Sequence, residues 1–492
     1  DNTIQAKDLQ LRFKDVPILA APSLTFPLDD NRHSGFLAPL IGIDSVSGIE
    51  ISSPYYWNIA PHRDATLTTT LMSKRGVALD SEFRYLEPVG QGQTRLNWMP
   101  TDSLRQQSRW GLSTQNIGEM DTGLPTIGRL GFNFNINRVS DDNYWKDFSL
   151  SSTAGIQRLL SSDVGLTWSD GFITTGIRAQ KWQTLQDLAN TANRITPPFD
   201  RLPQLTARLQ RYNLEGGFDF SVDGDFTRFS SVRTEDCASI YTSGLTTYNN
   251  CAPNADRAVS VAQLSRPFIS SYGYITPKVQ LHGRSYQFEG GLPNTLFYNG
   301  HQGQTSASVT VPTFSLDSGV TFERTHRLFD RAWLQTLEPR AFYVYTPYRD
   351  QNYLPNYDSG GNAFNFASVF TENAFGGNDR ISDSKLLTLG AISRLLDPQT
   401  GAEGARFGLA QRLRMQDQRV LIPGDTTARA GISDILAGAS LNLNRAWALD
   451  STVQYNPKTE NYSRRMLGGR YSPGSYRVLN AAYRSQNNDD GS

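Results

Sequence analysis

The chain has 492 residues, 19% of them charged, with 47 basic residues balancing 47 acidic ones, and it is rich in Gly (41), Phe (25) and Tyr (21). Zero formal charge argues against a nucleic-acid binder, which wants a basic excess. No apolar run reaches the roughly eighteen residues that a membrane-crossing helix needs, which excludes helical membrane proteins and leaves β-barrels open, since a barrel strand meets lipid only at every second residue and so tolerates the mean hydropathy of −0.45.

In chain order, residues 1–39 hold a short strand at Leu9–Phe13. A proline-punctuated stretch then runs from Val16 to Leu28, and Arg32–Leu37 leads toward the strand-rich remainder of the chain. Pro54 to Leu86 combines an aromatic cluster, two prolines and two runs of alternating polarity. From there the recurring signal is period two, the strand period. In Leu130–Asn137, Leu130, Phe132, Phe134 and Ile136 share one face, with Gly131 and three asparagines on the other. The same alternation marks Val164–Trp168, Tyr212–Asp223, Tyr286–Phe288, Arg406–Leu413 and Trp447–Tyr455. Two long, weakly apolar stretches, Thr227–Leu264 and Arg349–Asp383, read as loops, and loops of that length are usually functional or disordered. The first carries both cysteines, Cys237 and Cys251. They suit a loop disulfide in an oxidising compartment, with two free thiols as the alternative.

Period two cannot by itself separate a soluble sandwich, with its polar side out, from a membrane barrel, with its apolar side out. Two features favour the membrane. Aromatic clusters at Tyr55–Trp57, Tyr144–Trp145 and Tyr343–Tyr348 suit interfacial girdles. Strand signals also continue along nearly the whole chain, at about 18 residues per strand and connection, giving on the order of 24 to 26 strands. The expected fold is therefore all-β, a large antiparallel transmembrane β-barrel. Five scattered histidines (His33, His62, His282, His301, His326) form no metal-like spacing, and no CxxC, HExxH, P-loop or GxSxG motif is present. The reading is of a protein that is not an enzyme and has neither metal nor cofactor.

Pro54-Tyr55-Tyr56-Trp57-Asn58-Ile59-Ala60-Pro61, followed by Asp64-Ala65-Thr66, closely resembles the opening hairpin of the LptD (OstA/Imp) family of lipopolysaccharide-assembly proteins of Gram-negative outer membranes. Arg75-Gly76 and Glu82–Leu86 match the next element. Further matches in the family's order are Val139–Asp142 with Tyr144 and Asp147-Phe148, Arg201–Leu205, Leu337–Arg340 with Tyr345–Tyr348, Asp379–Asp383, and Met466–Gly468 with Tyr471. The resemblance implies that residues 1–39 are the last strands of a periplasmic β-jellyroll and that 40–492 form the barrel. It implies lipopolysaccharide as the cargo, an LptE-type plug lipoprotein in the lumen, and an LptA-type bridge protein at the jellyroll. It also implies a cell outer membrane location and a lateral gate between first and last strands. A porin or gated uptake channel is the alternative. Three departures stand out. Gly474 and Ser475 replace an adjacent cysteine pair before the tyrosine matched by Tyr476. Thr69 stands near a further family proline. The family's closing strand after Leu479–Arg484 is expected to be missing.

Proline lacks the N–H that zips strands, so it belongs at edges, bulges or turns. Pro54 and Pro61 therefore read either as markers of a strand end or, with the resemblance, as a weakened gate (Pro54) and a hairpin position (Pro61). Tyr55, Tyr56 and Trp57 read as interfacial anchors, with glycolipid contact at the seam as the alternative. In Asn373–Asp383, the residues Asn373, Asp379, Arg380 and Asp383 suggest either an ion pair within the loop or a loop folded into the lumen to meet plug or saccharide.

Overall fold

The computed structural model describes residues 3–13, 16–27, 32–125, 127–148, 158–186, 195, 197–231, 252–294, 298, 300–328, 331–423, 427–475 and 477–487. Cys237 and Cys251 lie outside the described residues, as does Tyr476. The fold is an all-β, antiparallel barrel in which sequence neighbours are sheet neighbours. Two compact units divide the chain, Asp1–Thr206 with Thr227–Ser231, and Ala207–Phe226 with Val232–Ser492.

In the first unit, Thr3–Phe13 and Val16–Pro27 form a separate two-stranded antiparallel sheet. The wall begins with Gly35–Phe36 and Leu40–Asp44, two segments that pair with the same partner, Gly48–Ala60. The division expected at residues 39/40 therefore falls in the break between these segments. The ladder continues through Arg63–Met72, Gly76–Glu87, Gly90–Asp102, Gln107–Asp121, Arg129–Val139, Leu159–Asp170 and Ile173–Thr184. Period two dictates its two faces. Leu67, Leu71, Leu79, Leu96, Trp98 and Trp110 are exposed on one. The other carries Asp64, Asp80, Glu82, Arg84 and Arg95, joined across strands by Arg84–Asp64 and Arg95–Glu82 ion pairs of 2.8 and 2.9 Å. Large apolar residues facing outward with charges facing inward is the inside-out pattern of a membrane barrel.

In the second unit, Ala255–Ser265 and Phe268–Ser270 both pair with Gly273–Phe288. Ser306–Val320 and Phe322–Leu328 both pair with Arg331–Thr346. Ser384–Leu396, Glu403–Arg414, Gly431–Asn442, Trp447–Asn456, Asn461–Gly474 and Arg477–Gln486 complete the ladder. Leu316, Leu337, Leu389, Phe407, Leu409 and Leu467 are exposed on its outer face. Among the described residues the barrel order contains 24 strand segments, although three walls are each built of two segments.

Of the two stretches read as loops, Arg349–Asp383 does connect two strands and contains only the small ladder Gly360–Gly361/Phe375–Gly376. The other differs from expectation at both ends: Thr227–Ser230 closes the strand Phe218–Ser230, and Ala255–Leu264 is strand. Its charges and serines alternate with Ala255, Arg257 and Val259, which the loop side of the wall buries. Tyr144 differs as well. Instead of standing in a girdle it sits on the one-turn helix Tyr144–Asp147, buried among Met72, Ala78, Met99 and Phe148.

Candidate functional site

Three places gather the residues that the sequence singles out. The first is the junction of the first two wall strands. Pro54 lies inside the strand Gly48–Ala60, opposite Thr68 on one side. On the other side its carbonyl accepts the Leu37 N–H at 2.9 Å. In an antiparallel strand a residue's N–H and C=O point to the same neighbour, so the donor that Pro54 lacks is missing from the ladder with the first strand. That ladder pairs Phe36 with Tyr55 and Leu40 with Ser52. The break at residues 37–39 thus sits beside Pro54, and Pro39 falls within it. Below the break the chain is held largely by side chains. Ser34 Oγ accepts the Asn58 N–H (2.8 Å), the Asn58 amide donates to the Arg32 carbonyl (2.7 Å), and Arg32 reaches Asp64 at 3.3 Å. Pro61 occupies the tight turn Pro61-His62 between two hairpin strands.

The aromatic triplet divides by period two. Trp57 is half exposed on the outer face, and Tyr55 on that face packs edge-on against Phe36 at 5.1 Å. Tyr56 points the other way and its hydroxyl donates to Asp64 at 3.2 Å. Tyr55 and Trp57 thus stand on the outer face and Tyr56 on the inner one.

The second place is a buried ion cluster at the opposite end of the first unit's wall. Arg75 from the turn at 73–75 meets Asp102 at 2.5 Å and Asp147 at 3.1 Å. Arg109 meets Asp102 (3.1 Å), Asp147 (2.6 Å) and Asp141 (2.9 Å), and Arg105 adds a pair to Asp147 at 2.9 Å. The side chains of Arg75, Asp102 and Arg109 are wholly buried. Phe148 lies under both guanidiniums, 5.3 and 4.7 Å from its ring centre. Charges so far from water survive only when paired and hydrogen-bonded, so the cluster fastens Ser140–Phe148 over the ends of the hairpins. Burial opposes the charge on Asp147, yet hydrogen bonds from Arg105 and Arg109 outweigh it and hold its carboxyl below the usual range.

The third place is the inner face of the second unit, which the connection 347–383 covers. Arg257, wholly buried, donates to Asp358 through both terminal nitrogens (2.8 and 2.8 Å) and to Asp379 (2.8 Å). Asp379 also accepts the Tyr286 hydroxyl (2.9 Å) and the N–H groups of Tyr357 (2.7 Å) and Asp358 (2.8 Å). Arg380 donates to the carbonyls of Leu354, Pro355 (3.2 Å) and Leu421 (3.3 Å). Asp383 accepts the N–H groups of Arg419 and Val420, each at 2.9 Å. Asn373 bridges the Arg380 carbonyl (3.0 Å) and the Ser382 N–H (2.9 Å). Burial acts against the charge on Asp358, but the Arg257 hydrogen bonds and charge prevail and hold its carboxyl well below the usual carboxylate range. Phe364, Phe366, Val369 and Phe370 press onto the wall around Ala410 and Leu436.

The four loop residues read from sequence are therefore brought together, and most of their polar groups are taken up by the chain itself; the Asp383 Oδ2 is buried without a hydrogen bond, 3.8 Å from Arg419. Asp102, Arg109, Arg257 and Asp358 escaped the sequence reading, because an arginine on the polar face of a strand looks the same whether it meets water or a buried carboxylate. Among the described residues no group of three or more His, Cys, Asp or Glu is placed to hold a metal.

Antiparallel walls with apolar side chains outside, charges inside, tight turns such as Pro61-His62 and a long structured connection folded against the inner face define a membrane β-barrel protein. Known proteins narrow this class. A family model described as "LPS transport system D" (LptD) matches residues 96–492, and a second, "LptD protein", matches residues 4–89. The chain belongs to the LptD family. It is 55% identical over 483 residues to the "LPS-assembly protein LptD" of Polaromonas sp. (strain JS666), covering 97% of this chain and 56% of that protein. It is 54% identical to the protein of that name from Albidiferax ferrireducens (98% and 58% covered), and 39% identical to the one from Cupriavidus necator (96% and 55% covered). The chain thus spans just over half the length of these relatives.

Proposed function

We propose that this chain is the barrel part of an outer-membrane lipopolysaccharide translocon. The saccharide crosses the polar lumen while the acyl chains leave sideways through a gate between the first and last strands. Each part of the amphipathic cargo then stays in its preferred solvent, and no covalent step is required. An LptE-type lipoprotein is the expected lumenal plug. The separate sheet of Thr3–Phe13 and Val16–Pro27 is the end of a β-jellyroll that receives the glycolipid from an LptA-type bridge. The observation that carries the gate is the position of Pro54. Its missing donor faces the first strand where that strand is already broken at 37–39. A strand held by so few bonds to its neighbour can swing without tearing a continuous ladder.

Replacing Pro54 by Ala restores one N–H opposite the break, worth about 1 kcal/mol net, or roughly fivefold in the population of a swung-out strand. Lipopolysaccharide delivery to proteoliposomes should slow by a comparable factor. Delivery at the unaltered rate, with the variant folded as judged by heat-modifiable gel migration, would remove Pro54 from the gate.

A further inference from the structure

The inner face of the second unit contains a cavity of about 630 Å³ that none of the ion pairs and hydrogen bonds of the covering connection uses. Its back is backbone. Gly390, Gly408 and Gly438 follow one another across three adjacent strands on the face that the long connection covers. The rings of Phe366 and Phe370 are laid on them so closely that a Cβ at these positions would meet ring carbons at 2.8 to 3.1 Å. Its rim is polar and of mixed sign. Glu338, Arg394, Arg406 and Asp450 line it. Arg394 and Arg406 are about one-third and one-half exposed, with Glu338 3.3 Å from Arg394 and Glu403 2.9 Å from Arg406. The Arg394 Nε is buried and makes no hydrogen bond, with the Glu403 carboxylate 3.9 Å away.

We propose that this cavity is a saccharide-binding subsite on the inner wall, a reading that rests on the proposed passage of saccharide through the lumen. Three features point to a sugar. The volume lies within the range of small-ligand pockets, roughly 300 to 1,000 Å³, and holds a few sugar rings. A docking surface for a protein partner would instead be a broad patch of about 800 Å² on each side. Aromatic rings beside a polar rim match the two surfaces of a pyranose, a C–H face and an edge of hydroxyls. The rim offers donors (Arg394, Arg406) and acceptors (Glu338, Asp450), and the third lining arginine, Arg340, lies over the Phe370 ring and is already paired with Asp317 at 2.6 Å, so the free rim is close to charge balance and suits a polyol better than a bare phosphate. The connection 347–383 supplies the rings and the strands supply the rim, so the site exists only while the connection is folded in.

The test is equilibrium binding of lipid-free core oligosaccharide, before and after dephosphorylation, to the full-length protein in detergent. Arg394→Gln and Phe366→Leu are the variants, the second keeping an apolar plug on the glycines while removing the ring. Each variant should weaken binding about tenfold, equivalent to one charge-assisted hydrogen bond or one stacking face, with heat-modifiable migration unchanged. Binding should survive dephosphorylation. Unchanged affinity in both variants overturns the subsite, as does affinity lost with the phosphates. If the variants release the plug lipoprotein and leave oligosaccharide affinity intact, the cavity is a protein-docking surface and the proposal fails. Lipopolysaccharide delivery measured in parallel separates the two readings: delivery intact with no oligosaccharide binding removes the subsite alone, and binding without any delivery removes the translocon reading.

Discussion

Arg257→Met isolates the fastening of the connection 347–383 to the wall. Methionine keeps much of the arginine's length and apolar contact and deletes its charge and donors. Arg257 is wholly buried and serves Asp358 and Asp379 at once, with Asp225 a further 3.6 Å contact. The substitution therefore leaves two buried carboxylates facing each other without their cation. Breaking a buried ion pair from one side costs about 3–5 kcal/mol, because the remaining charge stays desolvated. If that cost falls on closure of the connection, its open fraction rises on the order of a hundred- to several-thousand-fold. Limited proteolysis between residues 347 and 383, in detergent at neutral pH, reads that fraction when cleavage is slow relative to reclosing. Removing both carboxylates as well, in Arg257→Met with Asp358→Asn and Asp379→Asn, should recover much of the protection, since the penalty lies in the unpaired charges. Cleavage of Arg257→Met at the wild-type rate refutes the fastening, and a triple variant no better protected than the single one refutes the charge argument.

The ion cluster of the first unit invites the matching change. Asp102→Asn deprives two buried arginines of their shared anion, and hydrogen exchange in residues 140–148 should accelerate by at least tenfold; equal protection would show that Asp141 and Asp147 suffice. Gly438→Val puts a side chain where the Phe366 ring lies, since even its Cβ would meet Cε2 at 2.8 Å. Overpacking of this kind costs about 1–3 kcal/mol, and the result should be increased proteolysis of the connection without loss of the barrel's heat-modifiable shift. Tyr56→Phe is the mild counterpart. Asp64 keeps Arg84 and Arg32, so loss of one hydroxyl should change thermal stability by no more than about 1 kcal/mol. Asp147 and Asp358 both have folded pKa values below the unfolded carboxylate value. Their contribution is thus complete above about pH 4 and is lost as pH falls through the folded values. Burial raises the pKa of Asp379, whose protonation on acidification acts with the opposite sign, so protease resistance of both covered segments should not fall between pH 7 and about pH 5 and should decline only in stronger acid; a decline centred near pH 6 would contradict this.

Much of the architecture is written locally. A period-two alternation requires only neighbouring residues, so Leu130–Asn137 announces both a strand and its apolar face before any partner is known. Prolines and glycines mark turns by their own backbone restrictions, which is why Pro61 falls in a hairpin turn as its sequence context suggests. The family is legible too, because its motifs are contiguous. What the sequence alone could not decide is which polar side chains face water and which are locked away. Arg257 and Asp379 stand 122 residues apart, and nothing local distinguishes Arg257 from an arginine on an open lumenal wall. The direction of the donor missing at Pro54 has the same character. A proline's position shows that a hydrogen bond is lost, and only the register of the adjacent strands shows from which ladder. Pairing of buried charges and choice of neighbour are long-range matters, set when the ladder closes one strand upon the next, and the tertiary structure alone determined them.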